Sequence, residues 1–252
     1  MGIFDRFKKS IDIIRKSDLL TSITEPAARR SRNALQAAVK EYKKSLSLNP
    51  TDAVMHHDLG TAYAELGKLE EAIYEYKEAI KIDPKFAAAY TNLGGAYLEL
   101  GKKDAALKEL EKSLGLDPRF VLTYYNLGRA YADLEKWELA VKAYEIALIL
   151  DPKLDVAKES LGIAQVELGD DYFKKKQYGL AMENYKKGLE LYPEAFNAYY
   201  NLGNCYGHKG KSAEAIRCYE YFVEVAPPEC ELFIDKAKQN IAFLKTKMVK
   251  AS

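Results

Sequence analysis

The chain has 252 residues, enough for one large domain or two small ones, and its 48% apolar and 30% charged content excludes a wholly disordered polypeptide. Thirty-eight Lys and Arg against 37 Asp and Glu leave a formal charge of +1, which argues against a dedicated nucleic-acid binder. Three cysteines exclude a disulfide scaffold, and 19 tyrosines beside nine Phe and one Trp are an excess that needs a structural reason.

In chain order, residues 3–16 come first. Ile3, Phe4, Phe7, Ile11 and Ile14 fall on one helical side, with Arg6, Lys8, Lys9, Arg15 and Lys16 standing among Asp5, Asp12 and Asp18. The stretch has three readings: a cap helix folded over the first repeat, an amphipathic helix on an anionic membrane surface or a partner, and a homo-oligomerisation element. Charges interrupt every apolar run, so it is not read as a signal peptide. Met1-Gly2 begins like a myristoylation site, but Arg6 stands where Ser or Thr is wanted. No stretch approaches the roughly 20 apolar residues of a membrane span. The expected location is cytoplasmic, with peripheral membrane attachment as the variant. Thr24 and Pro26 suit a helix start, and one long helix is predicted from about Glu25 to Leu48.

The rest of the chain is periodic. Pro50, Pro84, Pro118 and Pro152 are 34 residues apart; Pro193 follows 41 later and Pro227 another 34 on. Leu59-Gly60, Leu93-Gly94, Leu127-Gly128, Leu168-Gly169 and Leu202-Gly203 form a second set of marks. Tyr63, Tyr97, Tyr131, Tyr172 and Tyr206 stand three residues past the glycines, and Ala72, Ala106, Ala140, Ala181 and Ala215 open the second helix of each unit. Each unit reads as two amphipathic helices, with a left-handed glycine such as Gly101 closing the first and Asp-Pro stopping the second.

These columns resemble the tetratricopeptide repeat (TPR) family. The resemblance covers five units, 53–86, 87–120, 121–154, 162–195 and 196–229, and implies an all-α fold: a right-handed superhelix of helix-turn-helix repeats, an α-solenoid with end-capping helices. The organisation predicted is an N-terminal amphipathic helix plus degenerate half repeat (1–52), repeats one to three (53–154), a seven-residue helical insertion (155–161), repeats four and five (162–229) and a C-terminal capping helix (230–252). Residues 34–50 match only the second half of a repeat, with Ala38, Tyr42 and Ser45 in register. Seven residues are two near-complete helical turns, so Gly162 and Gly169 lie on one face and the first helix of the fourth unit overhangs its neighbours by about two turns. Leu232, Phe233, Ala237, Ile241, Leu244 and Met248 are the apolar side of the final helix.

A search for chemistry finds little, and no catalytic role is assigned. Gly210-Lys211-Ser212 imitates the end of a phosphate loop, yet Cys205 stands where its first glycine should be. Cys205, His208 and Cys218 have no metal-site spacing, and no metal or cofactor is expected. In relatives of this kind, the first helices line a concave groove that takes peptide segments. The columns carried over are Asp58, Asn92, Asn126, Glu167 and Asn201, then Thr61, Gly95, Arg129, Asp170 and Asn204. Asparagine offers a donor and an acceptor, so Asn92, Asn126 and Asn201 could clamp a peptide backbone. His57, Thr91, Tyr125 and Tyr200 share a column read as groove-facing, where the tyrosines could stack on ligand side chains. Glu65, Glu99 and Asp133 form an acidic rim. A terminal-carboxylate clamp is not expected, because His57, Thr61, Asn92, Leu122 and Asn126 stand where its basic residues belong. The function expected is non-catalytic binding of a protein or peptide, as scaffold or adaptor. The alternatives are a membrane-peripheral assembly factor and a substrate-docking module for an enzyme on another chain.

Overall fold

The computed structural model describes residues 25–251, with side chains from 32 to 250. The readings placed on residues 3–16 lie outside these described residues. Among them there is no strand, and the helices are α1 (Glu25–Leu48), α2 (Ala53–Glu65), α3 (Leu69–Ile82), α4 (Ala87–Glu99), α5 (Lys103–Leu116), α6 (Val121–Asp133), α7 (Trp137–Leu150), α8 (Asp155–Lys174), α9 (Tyr178–Leu191), α10 (Phe196–His208), α11 (Ser212–Val225) and α12 (Glu231–Ala251). Residues 25–152 form one compact unit and 153–251 another. In both, a 34-residue unit is a pair of packed helices, so the fold is all-α and built of helix-turn-helix repeats.

The turns follow from local backbone chemistry. After α2 the Lys68 N–H donates to the Tyr63 carbonyl at 2.9 Å while Gly67 takes φ +74°, which satisfies carbonyls that the helix end would otherwise leave bare. The same bond closes α4, α6, α8 and α10 on Tyr97, Tyr131, Tyr172 and Tyr206. Gly101 and Gly210 fill the left-handed place in two of these turns, but Glu135 (φ 55°) and Lys176 (φ 58°) fill it in the other two. A Cβ there costs about 1 kcal/mol. Lys176→Gly is therefore expected to raise stability by about 1 kcal/mol in thermal or denaturant unfolding; an unchanged or lower midpoint would contradict the strain. Between repeats, the Asp83 and Asp117 carboxylates accept from the Lys85 and Arg119 N–H groups at 2.9 Å, with Pro84 and Pro118 inside the turns.

The tyrosine excess has its reason in packing. Tyr76, Tyr144, Tyr185 and Tyr219 occupy one second-helix column and are no more than 3% exposed. Each ring lies against a first-helix glycine. A Cβ on Gly60, Gly169 or Gly203 would come within 2.7–2.8 Å of its ring. The alanine column Ala72, Ala106, Ala140, Ala181 and Ala215 is fully buried beside it. Lysine ammonium groups sit 5.6–5.8 Å from the Tyr63, Tyr97 and Tyr206 ring centroids, from Lys43, Lys77 and Lys186 respectively, 20 residues earlier each time.

The additional turns of α8 do not stand clear of its own repeat. A Cβ on Gly162 would lie 2.8 Å from Tyr192 Cβ and 3.1 Å from the Gly188 carbonyl, and a Cβ on Gly188 would lie 2.9 Å from the Gly162 carbonyl. The 20-residue helix thus has two close approaches to α9, at Gly162 and at Gly169. The overhang expected from sequence is covered on this side because Gly188 replaces a larger residue.

Candidate functional site

In the 25–152 unit, α2, α4 and α6 bring one set of the sequence-selected residues together. Thr61, Glu65, Tyr76, Asn92, Gly95, Glu99, Asn126 and Arg129 line a cavity of about 450 Å³. It lies at the one repeat that lacks both members of a recurring polar pair. Elsewhere a second-helix tyrosine hydroxyl reaches a residue 15 positions earlier on the first helix: Tyr76 to Thr61 Oγ1 at 3.4 Å, Tyr185 to Asp170 Oδ1 at 2.6 Å, and Tyr219 to Asn204 Oδ1 at 2.7 Å. In the second repeat the corresponding residues are Leu110 and Gly95. A Cβ on Gly95 would meet only the Asn126 amide within 4 Å, so the floor there is open.

The two asparagines of this cavity are not equivalent. Asn92 gives its amino group to His57 Nε2 at 2.9 Å and to Thr61 Oγ1 at 3.4 Å. That pairing makes Nε2 the acceptor, and the proton on His57 then sits on Nδ1, 3.1 Å from the Asp58 carboxylate. The His57 ring is tilted against Phe86 with centroids 4.9 Å apart. His57 therefore positions Asn92 from behind. Asn92 keeps its carbonyl as an acceptor for a ligand, while its donors are engaged. Asn126 makes no hydrogen bond among the described residues, so both its donor and its acceptor are available. Arg129 donates to the Glu99 carboxylate across the repeat boundary. Desolvation lowers the guanidinium's tendency to hold its proton, and the hydrogen bond and charge of Glu99 outweigh that, for a net rise.

The remaining sequence-selected residues have other positions. Asp133 is exposed, and its backbone carbonyl receives the Lys103 ammonium. Tyr125 is half-buried, 5.9 Å from the Tyr144 ring centroid. Thr91, read as groove-facing, is fully buried: its hydroxyl lies 2.7 Å from both Ser113 Oγ and Thr123 Oγ1, a closed hydroxyl cluster between α4, α5 and α6. That column faces the neighbouring helices, because Thr91 is short enough to be covered where His57 is not.

In the 153–251 unit, Tyr200 is likewise packed, against Tyr219, Phe222 and Phe233 with centroids 5.2–5.7 Å away. Asn201 is 6% exposed and donates to Asp170 Oδ1 at 2.9 Å. Its place in an asparagine ladder is thus a structural bond to a carboxylate. Asp170 is the residue that the sequence reading passed over. Its carboxyl is pushed up to about 7, by desolvation first and then by the Glu167 charge, against the opposing bonds from Tyr185 and Asn201. The 15-residue spacing between its column and the tyrosine column was the available signal. Burial pushes the Cys205 thiol up to about 12 and the Cys218 thiol to about 11, which leaves neither as a thiolate near neutrality. Among the described residues no group of three His, Cys, Asp or Glu could hold a metal ion, and no helix is long and apolar enough to cross a membrane.

Family models described as TPR repeat match residues 28–67, 60–101, 96–135 and 169–210. Tetratricopeptide repeat models match 121–154 and 196–228. The chain belongs to the tetratricopeptide repeat family. Among solved structures, this TPR chain is similar to YrrB, a TPR protein with an unusual peptide-binding site, at 22% identity and TM-score 0.61, over 79% of this chain and 97% of that one. It is also similar to MamA, at 28% identity and TM-score 0.53, over 67% of this chain and 95% of that one. MamA 41-end from Desulfovibrio magneticus RS-1 matches at 22% identity and TM-score 0.53, over 69% and 94%. No curated protein matches the sequence. Family membership puts the chain among protein-interaction scaffolds.

Proposed function

We propose that this TPR protein is a non-catalytic scaffold or adaptor that captures an extended peptide segment of a partner in the cavity between α2, α4 and α6. One observation carries the reading: the Asn126 amide stands unpartnered in a 450 Å³ cavity beside the Asn92 carbonyl. Asn126 would pair with a peptide N–H and C=O together, and Asn92 with one further N–H. The open floor at Gly95 leaves room for a ligand side chain. Glu65 and Glu99 around Arg129 give the rim one net negative charge, which favours a neutral or singly basic segment.

Asn126→Ala removes the paired contact without touching the packed columns. Its capture of bound proteins, compared quantitatively with the unaltered chain by pull-down and mass spectrometry, is expected to fall about 10- to 100-fold, the equivalent of roughly 1–3 kcal/mol. Helicity and unfolding midpoint should stay unchanged. Undiminished capture of the same proteins would refute this site.

A further inference from the structure

The first described helix carries an empty socket. In register with the other second helices, residues 35–48 of α1 correspond to 69–82 of α3. In the full repeats the three inward columns are sealed: Ala72, Tyr76 and Ala79 are 0%, 2% and 0% exposed, and Ala140, Tyr144 and Ala147 are 0%, 3% and 0%. The equivalent Ala38, Tyr42 and Ser45 are only half-buried, and Leu48 is 82% exposed where Ile82 is half-buried. Val39, Tyr42 and Leu46 do pack on the core of the following repeat. What is uncovered is the side that a repeat's own first helix covers.

We propose that residues 3–20 of this chain form the missing first helix and seat on the Ala38–Tyr42–Ser45 stripe. Order and length support this occupant. The description begins at Glu25, at the N-terminal end of α1, where a first helix would deliver the chain. The preceding segment carries Ile3, Phe4, Phe7, Ile11 and Ile14 on one side, an apolar stripe matching an apolar socket. Eighteen helical residues span about 27 Å. Turning back near Thr21–Thr24 and running antiparallel to α1, they set residues 3–11 alongside 38–45. The fit also accounts for the length of α1, 24 residues against 14 for α3, since its first turns would pack on the segment's C-terminal end. The segment lacks the glycine that lets first helices touch a tyrosine ring. Ser10 is the small residue on its apolar side, so the helix sits farther from Tyr42 than α2 does from Tyr76.

The test uses the full chain with a benzophenone side chain in place of Phe7, irradiated over a hundredfold concentration range, with and without vesicles containing anionic lipid. The expected product is an intrachain cross-link to residues 35–48, monomeric, independent of concentration and unaffected by vesicles. The same probe in place of Arg6, on the polar side, should give at most one-tenth of that product. Cross-links between chains that grow with concentration would overturn the proposal in favour of a second copy. Loss of the intrachain product into lipid would overturn it in favour of a membrane helix. Cross-links elsewhere in the chain, or equal yields from both positions, would also overturn it.

Discussion

The Asp170→Asn variant is expected to be more stable than the unaltered protein at pH 8 and to lose that advantage by pH 4. Asp170 Oδ1 accepts hydrogen bonds from Tyr185 and Asn201. An asparagine oxygen accepts both equally well, so the substitution removes the charge and keeps the network. In the unfolded chain the carboxyl ionises near its ordinary 3.8, and in the folded chain near 7. Between those values the folded state holds one proton at this site and the unfolded state holds none. Stability from this group therefore falls as pH rises from about 4 to 7, and is restored below that window. A shift of about three units corresponds to an upper limit of about 4 kcal/mol at pH 8. Denaturant midpoints of both proteins at pH 4, 5, 6, 7 and 8 give the difference directly, since the other titrating groups are common to the two. Parallel curves would show that the carboxylate is not held out of water. Tyr185→Phe should act in the same direction as burial, because it removes one of the bonds that favour the carboxylate.

Gly128→Ala is expected to destabilise the 25–152 unit by about 3 kcal/mol, whereas Gly115→Ala should stabilise it by about 0.5–1 kcal/mol. Both glycines lie in helices, so helix propensity favours alanine at each. At Gly128 the new Cβ would stand 2.8 Å from Tyr144 Cζ and closer still to its ring edge. Tyr144 is 3% exposed and has no open direction in which to move. The helices must separate or the ring must leave its rotamer, and overpacking of this kind outweighs the propensity gain. A Cβ on Gly115 meets nothing within 4 Å, so only the propensity term remains. Thermal unfolding of the two variants should shift in opposite directions, by roughly 6–12 °C downward and 1–4 °C upward. A small change at Gly128 would mean that the column reflects chance and not close approach.

Much of the fold was legible because its marks are local or strictly periodic. Gly101 stops α4 and Asp117-Pro118 stops α5 through backbone conformation alone, and neither depends on a distant residue. The tyrosine and alanine columns repeat every 34 residues, and any helix pair must bury such a stripe. Glu135 and Lys176 show the limit of that reading. The turn forms without glycine because the tyrosine carbonyl bond closes it anyway.

The candidate site was legible only in part. The sequence placed Asn92, Asn126, Glu99 and Arg129 in columns of one face, and they do line one cavity. It could not tell Asn126, with its amide available, from Asn201, bonded to Asp170, because column position says nothing about partners. Nor could it separate Thr91, sealed at 0% exposure, from Tyr125 in the same column. By itself, then, the sequence determined the repeat, its helix ends and the five-unit register, all of which rest on short-range backbone sterics and on the burial of one stripe per helix. Only the tertiary structure decided which polar groups remain for a ligand. That depends on contacts between residues 15 to 35 positions apart, and there the length of one side chain decides whether a hydrogen bond is made within the protein or left open.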